Sequence, residues 1–103
     1  MIAQGDIWLM EPPNDRKRPV LVITRNEAIG VLSNVVVAPL TGTIRTIPTC
    51  VGVGPEEGID RDSVATFDNI ASIPKSLLTS RLGTLGPSGP QRICAALEAL
   101  ADC

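Results

Sequence analysis

The 103-residue chain contains no histidine and no tyrosine, and its only aromatic side chains are those of Trp8 and Phe67. The lack of histidine excludes His-based acid–base pairs, Ser-His-Asp and Cys-His nucleophile systems, and His-ligated zinc. Any catalysis must therefore use carboxylates, Arg, Lys, hydroxyl groups or a thiol. Two aromatic residues are too few for stacking to be the main mode of base recognition. We expect Phe67 in the core, and Trp8 in the core or at an interface between subunits.

Cysteines and long apolar runs are also scarce. Cys50, Cys94 and Cys103 are odd in number and too far apart for a CxxC motif, which argues against a disulfide framework and a zinc knuckle. We expect Cys50 and Cys94 to be buried as small apolar residues, and Cys103 to be exposed. Every apolar run is shorter than the ~18 residues that cross a membrane, and the N-terminus lacks the pattern of a signal peptide. The sequence predicts a cytoplasmic protein without a membrane segment.

The charges are unevenly distributed along the chain. The net charge of −2 argues mildly against a nucleic-acid-binding protein when it is taken as an average. Residues 14–25, however, hold four basic residues and one acidic residue, whereas residues 54–68 hold five acidic residues and one basic residue. The basic segment is therefore a candidate surface for phosphate.

Apolar residues make up 44% of the chain and are mainly Val, Ile, Leu and Ala, which favours strands in a small barrel or sandwich. We predict one domain over residues 1–103, because a chain of this length has a single core. Residues 68–73 are expected to continue extended, and helical turns are expected at 27–29 and 74–78. Gly83 predicts a bulge or a close backbone approach. Short apolar runs predict strands over residues 5–10, 19–25, 35–41, 47–53, 63–67 and 81–85.

The C-terminal segment has the clearest helix signal. Ser88 followed three residues later by Gln91 is a capping-box pattern, and Pro90 suits a first helical turn. An apolar stripe at helical spacing follows, formed by Ile93, Ala96, Leu97 and Leu100. We therefore predict a mainly β domain with a C-terminal helix packed on the sheet, which is an α+β arrangement.

Polar residues flank two of the predicted strands at positions that would meet. Arg18 precedes the apolar run of residues 19–25, and Thr41 closes the run of residues 35–41. If these strands pair as antiparallel neighbours, the start of one lies beside the end of the other. Arg18 and Thr41 would then share one rim of the sheet, where a guanidinium beside a hydroxyl is suited to bind phosphate.

Five short motifs occur in order over residues 5–75. They are Gly5-Asp6-Ile7-Trp8, Arg18-Pro19-Val20-Leu21-Val22-Ile23, Val36-Val37-Ala38-Pro39-Leu40-Thr41, Asp62-Ser63-Val64-Ala65 with Asp68-Asn69-Ile70, and Ile73-Pro74-Lys75. Each motif is weak by itself, but in this order they resemble the MazF/PemK family of toxin ribonucleases. The resemblance extends over nearly the whole chain.

The resemblance implies a small SH3-like barrel of the plasmid-maintenance-toxin type, shared by MazF and CcdB, that forms a homodimer. It implies a sequence-specific endoribonuclease that cuts single-stranded RNA with no metal and no cofactor, and that a MazE-like antitoxin neutralises. The family's catalytic arginine and threonine correspond to Arg18 and Thr41. Its acid–amide pair near the RNA groove corresponds to Asp68 and Asn69, where asparagine replaces the more usual glutamine. The loop before Arg18 is shorter than in many members, and whether mRNA, rRNA or tRNA is cut stays open.

The reaction expected from these residues is attack of a ribose 2′-hydroxyl on its own phosphorus, which gives a 2′,3′-cyclic phosphate and a 5′-hydroxyl. Arg18 would stabilise the phosphorane rather than act as a base, because a guanidinium rarely releases its proton. Thr41 would donate to a phosphate oxygen or hold the 2′-hydroxyl in line. The general base stays unassigned between Asp68 and a loop carboxylate. The further RNA-binding candidates are Arg16, Lys17, Arg25, Thr43, Arg45, Thr46, Asp68 and Asn69.

Two other interpretations stay open. One is a toxin similar to CcdB that binds DNA gyrase without catalysis and uses the C-terminal helix, which would agree with the acidic excess and the scarce aromatics. The other is an inactive SH3-like binding module. RNA that stays intact after incubation with the protein would favour these interpretations over the ribonuclease.

Overall fold

The computed structural model describes residues 1–101, which form a mainly β fold with a C-terminal helix, as predicted. The strands are β1 (Asp6–Met10), β2 (Arg18–Val22), β3 (Asn34–Thr41), β4 (Cys50–Val53), β5 (Ser63–Thr66), β6 (Ala71–Pro74) and β7 (Leu78–Thr84). The helices are α1 (Asn26–Ile29) and α2 (Gly89–Ala101), and 3₁₀ turns lie at Pro55–Glu57, Phe67–Asn69, Lys75–Leu77 and Gly86–Ser88. Within residues 1–101, neither α-helix has the length and apolar character needed to cross a membrane.

The strands form one curled antiparallel sheet in the order β4-β5-β3-β2-β1-β7, with β6 also paired to β3. Strand β3 organises the sheet because its start pairs with β6, its middle with β2 and its end with β5. A strand that changes partners along its length cannot stay flat. The sheet therefore curls into a half-barrel, which confirms the predicted barrel-like fold class.

The register between β2 and β3 determines which polar residues meet at the rim of the sheet. Val20 lies opposite Pro39, and Leu21 lies opposite Ala38. The same register continued toward the start of β2 brings Arg18 opposite Thr41. The predicted antiparallel pairing of these two strands is confirmed.

Two apolar clusters bury the two faces of β2. Leu21 belongs to the larger cluster, which includes Phe67 from the 3₁₀ turn after β5 and Ile93 from α2. Val20 and Val22 belong to the second cluster. Alternate residues of a strand point to opposite faces, so burial of both faces explains the nearly continuous apolar run of β2. The core position predicted for Phe67 is confirmed, because its side chain is fully buried.

Several predicted features differ from the structure. Leu100 is exposed at the end of α2, so the buried stripe of this helix ends earlier than predicted. The burial predicted for Cys94 is wrong because this residue is exposed, and Cys50 is only half-buried. The exposure predicted for Cys103 lies outside the described residues. Trp8 is half-buried against the second cluster, and its Nε1 donates to Oδ2 of Asp6 at 3.3 Å.

Two element boundaries also differ from the prediction and bear on the site. Strand β4 begins at Cys50 rather than at residue 47, so residues 42–49 form a longer loop. Residues 68 and 69 are not extended, because Phe67–Asn69 is a 3₁₀ turn and the chain becomes extended again only in β6. Fully buried Phe67 turns the chain here, because its ring enters the core from the end of β5.

Candidate functional site

An open cleft of about 700 Å³ lies at the rim where β2 begins and β3 ends. Its wall also includes the loop of residues 42–49, the start of β4 and the 3₁₀ turn after β5. The side chains that line it are those of Arg18, Pro39, Leu40, Thr41, Thr43, Arg45, Ile47, Cys50, Thr66, Asp68 and Asn69. The fold thus brings the predicted arginine–threonine pair and the predicted acid–amide pair to one surface.

Arg18 is the first residue of β2, and its side chain is about half exposed. Its Nη2 lies 3.2 Å from Oδ2 of Asp15, and the other carboxylate oxygen of Asp15 accepts a hydrogen bond of 2.7 Å from the backbone N–H of Arg16. A guanidinium has five N–H donors in a rigid fork, and this ion pair uses one of them. Asp15 therefore orients the Arg18 side chain and leaves donors for the two oxygens of a phosphate.

Thr41 is the last residue of β3, and its Oγ1 accepts a hydrogen bond of 3.2 Å from the backbone N–H of Thr43. This bond fixes the hydroxyl oxygen at the mouth of the cleft. Because the oxygen acts as acceptor in this bond, the hydroxyl hydrogen is left to donate to another group. A phosphate oxygen in the cleft is a suitable acceptor.

Asp68 and Asn69 enter the cleft from the 3₁₀ turn that follows β5. Oδ2 of Asp68 accepts a hydrogen bond of 2.7 Å from Oγ1 of Thr49. The carbonyl oxygen of Thr49 also accepts a hydrogen bond of 2.9 Å from the backbone N–H of Phe67. The segment before β4 therefore holds the turn at two points.

Arg16 and Lys17 lie beside the cleft rather than in it. They line a smaller depression of about 250 Å³ that shares Arg18 with the cleft. Nζ of Lys17 lies 3.4 Å from Oε1 of Glu11, so part of its charge is compensated. A hydrogen bond from the Thr79 hydroxyl, with Lys17 nearby, lowers the pKa of Glu11. Glu11 is therefore ionised at neutral pH.

Two further predicted RNA-binding residues, Arg25 and Thr46, line neither the cleft nor the depression beside it. Arg25 follows the opposite end of β2, and this strand carries the chain roughly 13 Å away from Arg18 before Arg25 is reached. Thr46 is an exposed loop residue, although its neighbours Arg45 and Ile47 line the cleft. Arg25 lies away from the cleft because β2 runs from the cleft at Arg18 toward the opposite edge.

Sequence reasoning missed two residues that contact the site. Asp15 was detectable, since an acid three residues before an arginine commonly pairs with it in a turn. Thr49 had no sequence signal, because its bond to Asp68 spans 19 residues and depends on the pairing of β4 with β5.

A further pocket of about 370 Å³ adjoins the cleft across Thr41 and contains Arg61.

The chemistry of the cleft matches a phosphodiester. It offers two guanidinium groups and several hydroxyl groups, together with the Asp68 carboxylate, the Asn69 amide and apolar side chains. Within residues 1–101, no group of three or more Cys, Asp or Glu side chains is arranged to hold a metal ion. The ligand that these donors fit best is an anion of extended shape.

Comparison with known proteins gives the same family from sequence and from structure. The family model described as PemK-like, MazF-like toxin of type II toxin-antitoxin system matches residues 3–101. The probable endoribonuclease MazF5 of Mycobacterium tuberculosis is 37% identical over 102 residues, which cover 98% of this chain and 94% of that protein. The solved structure of the Mycobacterium tuberculosis toxin MazF-mt6 has a TM-score of 0.84 at 34% identity, and the match covers 94% of this chain and 96% of that chain.

A second solved structure, an endoribonuclease from a mycobacterial species in complex with its cognate antitoxin, has a TM-score of 0.82 at 30% identity. The match covers 98% of this chain and 96% of that chain. The motifs that carry the resemblance lie on β1, β2, β3, β5 and β6 and on the turns at Phe67–Asn69 and Lys75–Leu77, and several of them build the cleft. The chain therefore belongs to the PemK-like, MazF-like family of toxins of type II toxin-antitoxin systems.

Proposed function

We propose that this protein is an endoribonuclease toxin that cuts single-stranded RNA in the cleft between Arg18 and Thr41. The observation that carries the proposal is that the register of β2 and β3 brings these two side chains to one cleft wall. Family membership supports it, as does the similarity to proteins named as MazF endoribonucleases. These likenesses favour the ribonuclease over a gyrase-binding toxin or an inactive binding module.

The proposed reaction uses the RNA itself as nucleophile. The 2′-hydroxyl attacks the adjacent phosphorus, the bond to the 5′-oxygen of the next nucleotide breaks, and a 2′,3′-cyclic phosphate and a 5′-hydroxyl result. Arg18 donates hydrogen bonds to the phosphorane oxygens, which carry more negative charge than in the ground state. Thr41 donates to a phosphate oxygen or holds the attacking hydroxyl in line.

The proton acceptor in this proposal is a carboxylate. The structure brings two carboxylates to the site, Asp15 against Arg18 and Asp68 across the cleft. Asp68 already accepts a bond from Thr49, and Asp15 already accepts bonds from Arg18 and from the Arg16 backbone. Both carboxylates therefore orient other groups, and the general base stays unassigned between them.

We further propose that the toxin works in the cytoplasm as a homodimer and is neutralised by a MazE-like antitoxin. The similar mycobacterial endoribonuclease solved with its cognate antitoxin supports such a partner. Structures of MazE-MazF complexes from Deinococcus radiodurans share the fold at 18% identity. Co-expression with a cognate antitoxin should restore the growth of cells that the toxin arrests.

The test is cleavage of a mixed mRNA pool by the purified protein, followed by sequencing of fragments with 5′-hydroxyl ends. Arg18→Ala and Thr41→Val should each lower cleavage, Arg18→Ala by about 10²–10³-fold because it removes a charged donor from the transition state. Arg25→Ala is the matched control, since it removes the same charge outside the cleft and should cut like the wild type. Near-wild-type cleavage by both cleft variants would overturn the assignment.

A further inference from the structure

The cleft contains one group that does not suit phosphate. Among the described residues that line it, Asp68 carries the only negative charge, whereas Arg18 and Arg45 are positive. A carboxylate repels the RNA backbone, so it weakens general affinity for RNA. A carboxylate at this position suits a part of the RNA that donates hydrogen bonds, and not the phosphate groups.

The position of the Asp68 carboxylate is set by Thr49, which is not among the residues that line the cleft. Oγ1 of Thr49 donates to Oδ2 of Asp68 at 2.7 Å, and the carbonyl oxygen of Thr49 accepts from the Phe67 N–H at 2.9 Å. The first pair of the β4–β5 ladder, Cys50 with Thr66, comes directly beside these bonds. The Asp68 side chain is therefore tied to a rigid part of the sheet rather than free to rotate.

The hydrogen bond from Thr49 leaves the carboxylate with one open side. Oδ2 is engaged by the hydroxyl, and within residues 1–101 no protein donor bonds Oδ1 of Asp68. An ionised carboxylate only accepts hydrogen bonds. Cytosine, adenine and guanine present exocyclic amino groups that can donate to such an oxygen. Uracil presents carbonyl oxygens on both sides of its single N–H, and these oxygens are repelled by a carboxylate.

We propose that Thr49 is a positioning residue that holds Asp68 as a one-sided acceptor, and that Asp68 thereby selects a base with an exocyclic amino group at one position of the RNA. This inference rests on the proposed ribonuclease function and names a determinant of its sequence preference. Asn69 follows Asp68 on the same turn and also lines the cleft. The turn thus presents a fixed acceptor and an amide side by side to one nucleotide.

The role of Thr49 is to restrict direction, not to touch RNA. Without its hydroxyl, the Asp68 carboxylate can occupy several rotamers and present either oxygen to the cleft or to solvent. An acceptor without a fixed direction can also reach donors on neighbouring bases or water. Loss of Thr49 should therefore blur the base preference at one position and leave the ion pair that orients Arg18 in place.

The experiment compares cleavage of an RNA pool with randomised positions by the wild type, Thr49→Val and Thr49→Ser, with sequencing of the 5′-hydroxyl ends. The wild type should show one position at which amino-bearing bases are cut about tenfold more readily than uracil, the discrimination expected of one charged hydrogen bond. Thr49→Val has the same shape without the hydroxyl and should lose most of that preference, with other positions of the motif unchanged. Thr49→Ser keeps the hydroxyl and should restore it.

Asp68→Asn is a second variant that tests the same point if Thr49→Val folds poorly. Because Asp68 is also a candidate general base, its base preference is measured as binding of RNAs that lack the attacking 2′-hydroxyl and cannot be cut. An amide can donate as well as accept, so this variant should admit uracil at the selected position. A decrease in the activity of Thr49→Val by the same factor for every motif, with the base preference kept, would indicate only a structural role and overturn the inference. An unchanged motif in both variants would also overturn it and leave the ribonuclease intact. Failure of the wild type to cut any RNA would overturn the proposed function, and the inference with it.

Discussion

The ion pair with Asp15 orients the Arg18 side chain but contributes little to the stability of the fold. Both partners are about half exposed, with side-chain exposures of 44% for Arg18 and 58% for Asp15. Exposed ion pairs contribute about 0–1 kcal/mol to folding. An error of about 1 Å in the position of a group that contacts the transition state, by contrast, can cost on the order of 10²-fold in rate. We therefore expect Asp15 to matter more for cleavage than for the free energy of unfolding.

The role of Asp15 can be tested by two substitutions. Asp15→Asn keeps an acceptor oxygen for Arg18 and should cut RNA within about tenfold of the wild type, whereas Asp15→Ala removes the acceptor and should lose more. Both variants should unfold at nearly the wild-type temperature. Initial rates on a short RNA substrate measure the effect. A loss of about 10²–10⁴-fold in Asp15→Asn would instead identify this carboxylate as the general base.

At the residue scale, the sequence predicted which side chains lie close together where strand register alone brings them together. Arg18 and Thr41 needed only the antiparallel pairing of two apolar runs, and this pairing is present. The contact of Thr49 with Asp68 could not be predicted. It depends on the residue at which β4 begins, and on the 3₁₀ turn at Phe67–Asn69, where we had predicted extended chain for residues 68 and 69. Residues brought together by such irregular segments carry no periodic signal.

At the element scale, a bulge in the outer strand β7 shapes the edge of the sheet. Ile7 pairs with Gly83 and Trp8 pairs with Arg81, so Leu82 is the extra residue of a β-bulge. The carbonyl of Glu57 approaches the backbone of Gly83 where a side chain would stand. Both features that Gly83 predicted, the bulge and the close approach, are confirmed. The Leu82 side chain is exposed, as are those of the three residues before it on β7.

Gly83→Ala should therefore destabilise the protein. A Cβ at this position would overlap the Glu57 carbonyl oxygen and lie against the Gly58 backbone, and neither group is the end of a flexible side chain. We expect a loss of about 1–3 kcal/mol in the free energy of unfolding, the usual cost of overpacking. Urea denaturation followed by the fluorescence of Trp8 measures it.

Gly30→Ala is the control for this substitution. Its φ is −69°, and a Cβ there meets no atom within 4 Å, so alanine fits without strain. The control should be as stable as the wild type or slightly more stable, since alanine reduces the entropy of the unfolded chain. Equal stability of Gly83→Ala and the wild type would contradict the close approach.

The start of β4 is the element boundary that the sequence predicted poorly. Pro48 has no N–H to donate, and the chain before Cys50 stays outside the sheet.

At the scale of the whole molecule, charge is separated between two surfaces. The cleft and the adjoining depression hold Arg16, Lys17, Arg18 and Arg45. A separate pocket of about 580 Å³ is lined by acidic side chains, those of Glu56, Glu57 and Asp62. The sequence predicted the basic surface from the segment of residues 14–25, and the net charge of −2 described neither surface. Only the fold decides which of the basic side chains line the cleft, as the position of Arg25 illustrates.

The charge separation predicts that cleavage depends on salt through the cleft and its adjoining depression. Each phosphate contact with single-stranded nucleic acid contributes a slope of about −0.7 in log affinity against log salt concentration. The double variant Arg16→Ala/Lys17→Ala should flatten the slope of log kcat/KM by about 1, and less if the contact of Lys17 with Glu11 persists in the complex. Its sequence motif should be unchanged, because phosphate contacts carry no base information.

The measurement is kcat/KM on one RNA substrate over a series of KCl concentrations, with Arg25→Ala as the control. Arg25→Ala removes a positive charge beyond the far end of β2 and should keep the wild-type slope. A change in total charge by itself would flatten the slope in both proteins in proportion to the charge removed. A local effect flattens it only in the double variant. Equal slopes in all three proteins would mean that the RNA backbone does not pass over residues 16 and 17, and its path would then lie toward Arg61 on the other side of Thr41.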